Sequence, residues 1–367
     1  MPKRIVKRLK TRILGFPKPA LLAGFVGILF CLAYLDYTTS RFIQLSLFYA
    51  LTAALAGWTL GSGAVYLIVS ISTVLAFASD YFADPTVPLG FDIANHGLRS
   101  ILWTLLGLTL VSLRKRLDLL DDAYAKIRTD LDAGRNVQMA FLSRPIPEDS
   151  RANVAVSFRT ARELGGDYYD LRVIDDKLRV LVADVSGKGA SAALVTGLFG
   201  GIYSELSRRH QEPEKLLSIL DKEISPSLLD GMFITAFLLV LDLETGHGVY
   251  ASAGHDPQIF MRDQEVVELY PTGLPVGVMD GIEISAETLV LSPQDKLLLF
   301  TDGVLNVRTS KEERLTEDEF LDIVKQACGM PVAQIPQRVF DRLDAEGAFD
   351  DDALFLALSL NLTKKQV

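Results

Sequence analysis

Four places in this chain set aspartate at the end of an apolar run, and together they could hold a hard divalent cation. Asp167 follows Gly165-Gly166, a pair that lets the backbone turn tightly and come close to a ligand. Asp184 ends the apolar run 178–183 and is followed by Gly187-Lys188-Gly189. Asp302 lies in Thr301-Asp302-Gly303 after the run 297–300, and Asp350-Asp351-Asp352 directly precede the run 353–358. One aspartate beside a glycine at a strand end is ordinarily a turn. Four such places read differently, because a hard cation needs several carboxylate oxygens converging from separate segments. No other donor set competes: His96, His210, His247 and His255, with Cys31 and Cys328, are scattered without zinc spacing. Oxygen-only ligation favours magnesium or manganese.

The elements that must position these carboxylates are mostly strands. Apolar, β-branched runs predict strands at 154–159, 168–173, 178–183, 233–243, 249–253, 266–269, 284–291, 296–301 and 353–360. Turn signals such as Glu244-Thr245-Gly246 and Pro271-Thr272-Gly273 separate them. Helices are predicted at 191–209 and about 213–229. A strand-rich chain with helices inserted as a pair is α+β, with too many strands for one helix-covered sheet.

The blocks GGDYYD (165–170), DVSGKG (184–189) with SAALV after it, FITAFLLVLDLETG (233–246), ASAGHDP (251–257), TGLPVGV (272–278), TDGV (301–304) and DDD (350–352) follow in order. This series resembles the SpoIIE-like branch of the PPM metal-dependent protein serine/threonine phosphatases, which includes the RsbU-type stress regulators, over about residues 138–360. The resemblance implies a PPM-type α/β-β/α sandwich, two stacked antiparallel sheets flanked by helices, with two divalent cations, Mn2+ or Mg2+, at one end. It implies that Asp184 bridges both cations and the attacking water. Asp167 and the carbonyl of Val185 would complete one cation site, and Asp302 and Asp351 would hold the other. Asp351 is taken because it opens the Asp-Asp pair that the family places before its last strand, although Asp350 and Asp352 leave the register open. The implied substrate is a phosphoserine or phosphothreonine on a regulatory protein, such as an anti-sigma-factor antagonist. The chain departs from the pattern at Asn306, where a glutamate is usual, at Leu354, where a hydroxyl residue is usual, and at AGHDP in place of AGHNP. Ser186 stands where the eukaryotic branch has a histidine, so no leaving-group acid is assigned.

Other readings of the same residues have less to stand on. GGDYYD superficially matches the GGDEF hairpin of nucleotide cyclases, but DVSGKG, TDG and DDD have no place in that fold. A catalytically weak membrane receptor or scaffold is supported by Asn306 and Leu354 alone. Gly187-Lys188-Gly189 lacks the eight-residue P-loop pattern. His255 beside Gly254 reads as a structural histidine in a turn.

Charge divides the chain. Residues 1–116 carry 12 Lys/Arg against 4 Asp/Glu, and the remainder 25 against 42. The first part reads as a membrane domain, 1–113, and the acidic remainder makes nucleic acid an unlikely partner. Apolar segments at about 20–35, 42–60, 63–78 and 93–113 predict an all-α bundle of four transmembrane helices. Seven basic residues in 1–18 and Arg114-Lys115-Arg116 flank them, whereas the loop 80–92 is acidic. The positive-inside rule therefore places both termini in the cytoplasm and the protein in the cell membrane. His96 and Arg99, near the start of the fourth segment, read as interfacial residues reaching headgroups. From 113 to 141 apolar residues fall on heptad rows, Leu117, Tyr124, Leu131, Gln138 and Leu113, Leu120, Ile127, Gly134, Phe141. This predicts a helical linker, 114–144, that dimerises the chain as a parallel coiled coil through 113–141. Arg144-Pro145-Ile146-Pro147 stops that helix, and the phosphatase-like domain, 145–367, begins.

Overall fold

The structure, a computed structural model, describes residues 16–39, 45–83, 86–142, 146–161, 164–263, 265–279, 281–309 and 314–361. The chain divides into two compact units, Met1–Ile127 and Arg128–Val367.

The first unit is helical: α1 (Lys18–Thr39), α2 (Ser46–Leu60), α3 (Ser62–Ala83) and the start of α4 (Leu89–Leu142). By length and composition, α1, α3 and the stretch Leu89–Ala140 can each cross a membrane. The second predicted span, 42–60, begins among residues 40–44, outside the described residues, and its described part, α2, is a shorter apolar helix of 15 residues. Leu29, Ala53, Val65, Ile68 and Trp103 are buried at the helix contacts. Small residues set how closely the helices approach, since a Cβ on Gly57 or Gly107 would lie 2.6 Å from a Val65 methyl. His96 does not reach outward as expected. It is 2% exposed, with Nε2 3.2 Å from Asp80 Oδ2 and the edge of Phe77 against its ring. Arg99 lies 3.9 Å from the same oxygen. A carboxylate from the neighbouring helix thus supplies the partner that headgroups were expected to give.

The second unit contains β1 (Ala152–Arg159), β2 (Asp167–Ile174), β3 (Lys177–Val185), α5 (Ala190–Leu206), α6 (Pro213–Ile224), β4 (Ile234–Asp242), β5 (His247–Ala253) and β6 (Gln258–Arg262). It continues with β7 (Glu265–Leu269), β8 (Glu287–Val290), β9 (Lys296–Phe300), β10 (Val307–Thr309), α7 (Glu317–Ala327), α8 (Ile335–Glu346), β11 (Gly347–Phe349) and β12 (Ala353–Leu360). Two five-stranded antiparallel sheets form, ordered β1-β12-β9-β6-β7 and β2-β3-β4-β5-β8, and β10 pairs with β11.

Side-chain alternation explains why the central strands read as unbroken apolar runs. On β3, Val180 and Val182 enter the core between the sheets, while Leu181 and Ala183 face Phe199, Tyr203 and Leu217 of α5 and α6. On β12, Leu354, Leu356 and Leu358 enter the same inter-sheet core, while Phe355 and Ala357 face Phe320, Val339 and Leu343 of α7 and α8. Three apolar layers result, in the α/β-β/α order expected. Helices α7 and α8 lie outside the predicted pair. Their signals are a capping box at Thr316 and Glu319, both halves of which form, and Pro336 in the first turn of α8.

Candidate metal centre

The β2–β3 hairpin places the first two aspartates. It turns through Asp175 and Asp176, at φ 51° and 59°, a conformation that aspartate tolerates better than most residues. The resulting antiparallel register makes Asp167 and Asp184, the two ends of the motif in sequence, direct cross-strand neighbours. Gly166 lets the backbone close over them, because a Cβ there would lie 2.7 Å from the Val185 carbonyl oxygen and 3.3 Å from Asp184 Oδ1. Beyond Val185, Gly187 and Gly189 take φ 99° and 83°, which turns the strand into α5.

The opposite sheet brings the other two sites. Strands β9 and β12 pair antiparallel, so the residues after Phe300 and those before Ala353 meet at one edge. Thr301 is fully buried and ties the sheets together there. Its hydroxyl donates to Asp167 Oδ2 at 2.6 Å and accepts from the Leu354 amide at 3.0 Å. Asn306, the residue in place of the usual glutamate, donates to Asp302 Oδ2 at 2.9 Å.

The three adjacent aspartates have three different partners. Asp350 Oδ2 accepts from Arg308 Nε and Nη2 at 2.9 and 2.6 Å. Asp352 accepts from the amides of Ala161 and Gly166, at 2.9 and 2.7 Å, and so anchors the Gly165-Gly166 turn. Asp351 Oδ2 pairs with Lys188 Nζ at 2.6 Å.

Electrostatics ties the cluster together. Burial, and then the charges of Asp302 and Asp351, pushes Asp184 up to about 7. Burial and the Asp184 charge raise Asp167 well above the usual carboxylate range, against the Thr301 hydrogen bond. Asp302 is raised by burial first and by Asp351 second. Among the described residues no three such groups close around one point tightly enough to cage a cation. The fit to a metal lies instead in the donor chemistry: one buried and three half-buried carboxylates from four segments repel one another, and a hard cation would relieve that repulsion.

His255 is structural, as expected. Its Nε2 donates to the Phe300 carbonyl at 3.1 Å, and its Nδ1 accepts from the Thr235 hydroxyl at 2.7 Å. Burial lowers its pKa to about 4, so the ring is neutral near pH 7. Ser186 is held to Phe233 by two bonds, its Oγ accepting at 2.8 Å and its amide donating at 2.9 Å.

Residues missed by sequence reasoning act as supports. Gln138, placed on a heptad row, is buried, and its amide grips the Gly165 backbone twice, donating at 2.6 Å and accepting at 3.2 Å. Leu164 lies over Gly134, where a Cβ would be 3.6 Å away. The second compact unit begins at Arg128, within the segment 114–144.

Comparison with known proteins places this geometry. The family model described as Stage II sporulation protein E (SpoIIE) matches residues 174–361. Among curated proteins, "Phosphoserine phosphatase RsbU" of Bacillus subtilis (strain 168) is 24% identical over 220 residues, covering 59% of this chain and 65% of the relative. "Phosphoserine phosphatase RsbP" of the same organism is 25% identical over 239 residues, covering 62% of this chain and 57% of the relative. The chain thus spans less than two thirds of the length of either. Among solved structures, the SiaA-PP2C domain of Pseudomonas aeruginosa superposes with a TM-score of 0.58 at 21% identity, covering 65% of this chain and 98% of that one. The RsbU and RsbW domains of Rv1364c from Mycobacterium tuberculosis give a TM-score of 0.54 at 24% identity, covering 60% and 62%. These likenesses confirm the PPM fold.

Proposed function

This chain belongs to the SpoIIE family, and from that premise we propose that it is a membrane-tethered, metal-dependent protein serine/threonine phosphatase. The observation that carries the reading is the convergence of Asp167 and Asp184 from one sheet with Asp302 and Asp351 from the other. Asp167, Asp184 and the Val185 carbonyl would hold one divalent cation, and Asp302 and Asp351 a second, with Asp184 shared. Two such cations, Mn2+ or Mg2+, would supply an activated water and neutralise phosphoryl charge. The chain's own contribution is placement. Thr301 orients Asp167, Asn306 holds Asp302, and Asp352 fixes the glycine turn that admits Val185 to the site.

Asp351 suits the ligand role best of its triplet, since Arg308 takes the carboxylate of Asp350 and two amides take that of Asp352, whereas Asp351 holds one amide and a partly exposed lysine. The cyclase reading loses its ground, because the GGDYYD hairpin is one part of a two-sheet sandwich. The names borne by the relatives support a phosphoserine substrate, and the family resemblance implies that it lies on a regulatory protein such as an anti-sigma-factor antagonist. Three apolar helices and the flanking basic clusters support a multi-pass position in the cell membrane with the catalytic unit in the cytoplasm. Residues 113–141 would join two copies.

The deciding experiment is manganese-dependent phosphate release from phosphorylated casein by the detergent-solubilised full chain. Wild type should release phosphate, and Asp184→Asn should not while remaining folded, because an amide cannot carry the bridging charge. Wild-type turnover by Asp184→Asn would remove Asp184 from the mechanism.

A further inference from the structure

We propose that Lys188 is an internal competitor for the cation at the Asp302–Asp351 side of the centre, occupying Asp351 until a cation displaces it. The inference rests on reading the cluster as a metal centre and adds a role that this reading does not contain.

Among the described residues, Lys188 makes two polar contacts, both to the aspartate triplet. Its Nζ lies 2.6 Å from Asp351 Oδ2 and donates to the Asp350 carbonyl at 3.1 Å. These contacts put the ammonium on Asp351 Oδ2, while Oδ1 of that carboxylate accepts from the Asp352 amide at 3.0 Å and the other two carboxylates are taken by an arginine and by two amides. Its field also reaches Asp302, whose carboxyl it favours in the charged form. An ammonium and a divalent cation cannot share one carboxylate edge without strong repulsion, so each excludes the other.

The surroundings allow the exchange. Lys188 is 40% exposed and Asp351 28%, so the ammonium can return to water without crossing an apolar layer. Neither flanking glycine, Gly187 or Gly189, has an atom within 4 Å of where a Cβ would stand, so side-chain packing does not pin the turn there. Lysine suits this role better than arginine, being a point charge on a flexible stem and not a bidentate fork. The consequence is a threshold: the centre fills at a higher cation concentration than its carboxylates alone would require.

The test is Mn2+ binding by the full chain in detergent micelles, followed by loss of the free-ion electron paramagnetic resonance signal. Lys188→Met should tighten the weaker binding step by about fivefold, the upper size for a partly exposed ion pair. Lys188→Gln should do the same, and Lys188→Arg should stay within about twofold of wild type. In an Asp351→Asn background, where the lysine has lost its partner, Lys188→Met should bring no gain. Unchanged or weaker binding by both neutral variants, or a gain that persists in the Asp351→Asn background, overturns the competition while leaving the metal centre intact. If wild type binds no Mn2+, both readings fall.

Discussion

Asp350, Asp351 and Asp352 are chemically identical in sequence and differ in what the fold gives them. Asp352 satisfies two amides, one buried and one part-buried, so Asp352→Ala should destabilise the unit by about 2 kcal/mol. Asp351 faces a partly exposed lysine, so Asp351→Asn should change stability by less than about 1 kcal/mol. It should still cut turnover by about a hundredfold or more, as loss of a metal ligand does. Urea midpoints and phosphate release on the same pair of variants check this. Equal effects of both on stability would put the two residues in one role. The sequence could not separate them, because the distinction depends on contacts with residues 161, 166 and 188, far away in the chain. Asp184 and Asp302 were legible because each follows an apolar run, and Asp167 because it follows a Gly-Gly pair at the start of a strand. Thr301 was not, since a hydroxyl before Asp-Gly looks like ordinary turn chemistry until the second sheet is placed against it.

Strands were the legible elements, and for a physical reason. Burial on both faces writes a continuous apolar run, and the Asp175-Asp176 turn fixes the register that brings Asp167 to Asp184. Short amphipathic helices such as α7 and α8 carry a weaker pattern, and they escaped detection despite the capping box. Helix α4 is a different case. Its heptad pattern identified the helix, yet Gln138 on that pattern grips Gly165 within its own unit. Gly165 is next to Gly166, the amide that Asp352 accepts from. If α4 transmits a signal, Gln138 is where the signal meets the site. Inserting three or four residues between Arg116 and Arg128 shifts the helical phase, whereas seven preserve it. Turnover should follow that phase in wild type and stop following it in Gln138→Ala, which itself should cost about 1 kcal/mol of stability. Phase dependence that survives Gln138→Ala would place the contact elsewhere.

At the scale of the whole chain, charge asymmetry and hydropathy separate a basic, apolar part from an acidic one near residue 116, and the compact boundary falls at Arg128. The proposed topology puts both ends in the cytoplasm. A reporter fused after Val367 should therefore be active only if its fold is cytoplasmic, and activity of an export-dependent reporter there would reverse the orientation. The Thr301 hydroxyl has a further consequence. It joins Asp167 of one sheet to the amide of Leu354 in the other, at an edge where both sheets end. Any cation held jointly by Asp184 and Asp351 would fasten the same edge, acting as a removable cross-link between the layers as well as a reagent. Heat stability then becomes a meter of occupancy. At a Mn2+ concentration about a hundred times the dissociation constant, the unit should gain about 2.7 kcal/mol, all of it lost on chelation. Scanning calorimetry across a Mn2+ series measures that gain, and a melting temperature indifferent to Mn2+ would mean that no ion fastens the two sheets.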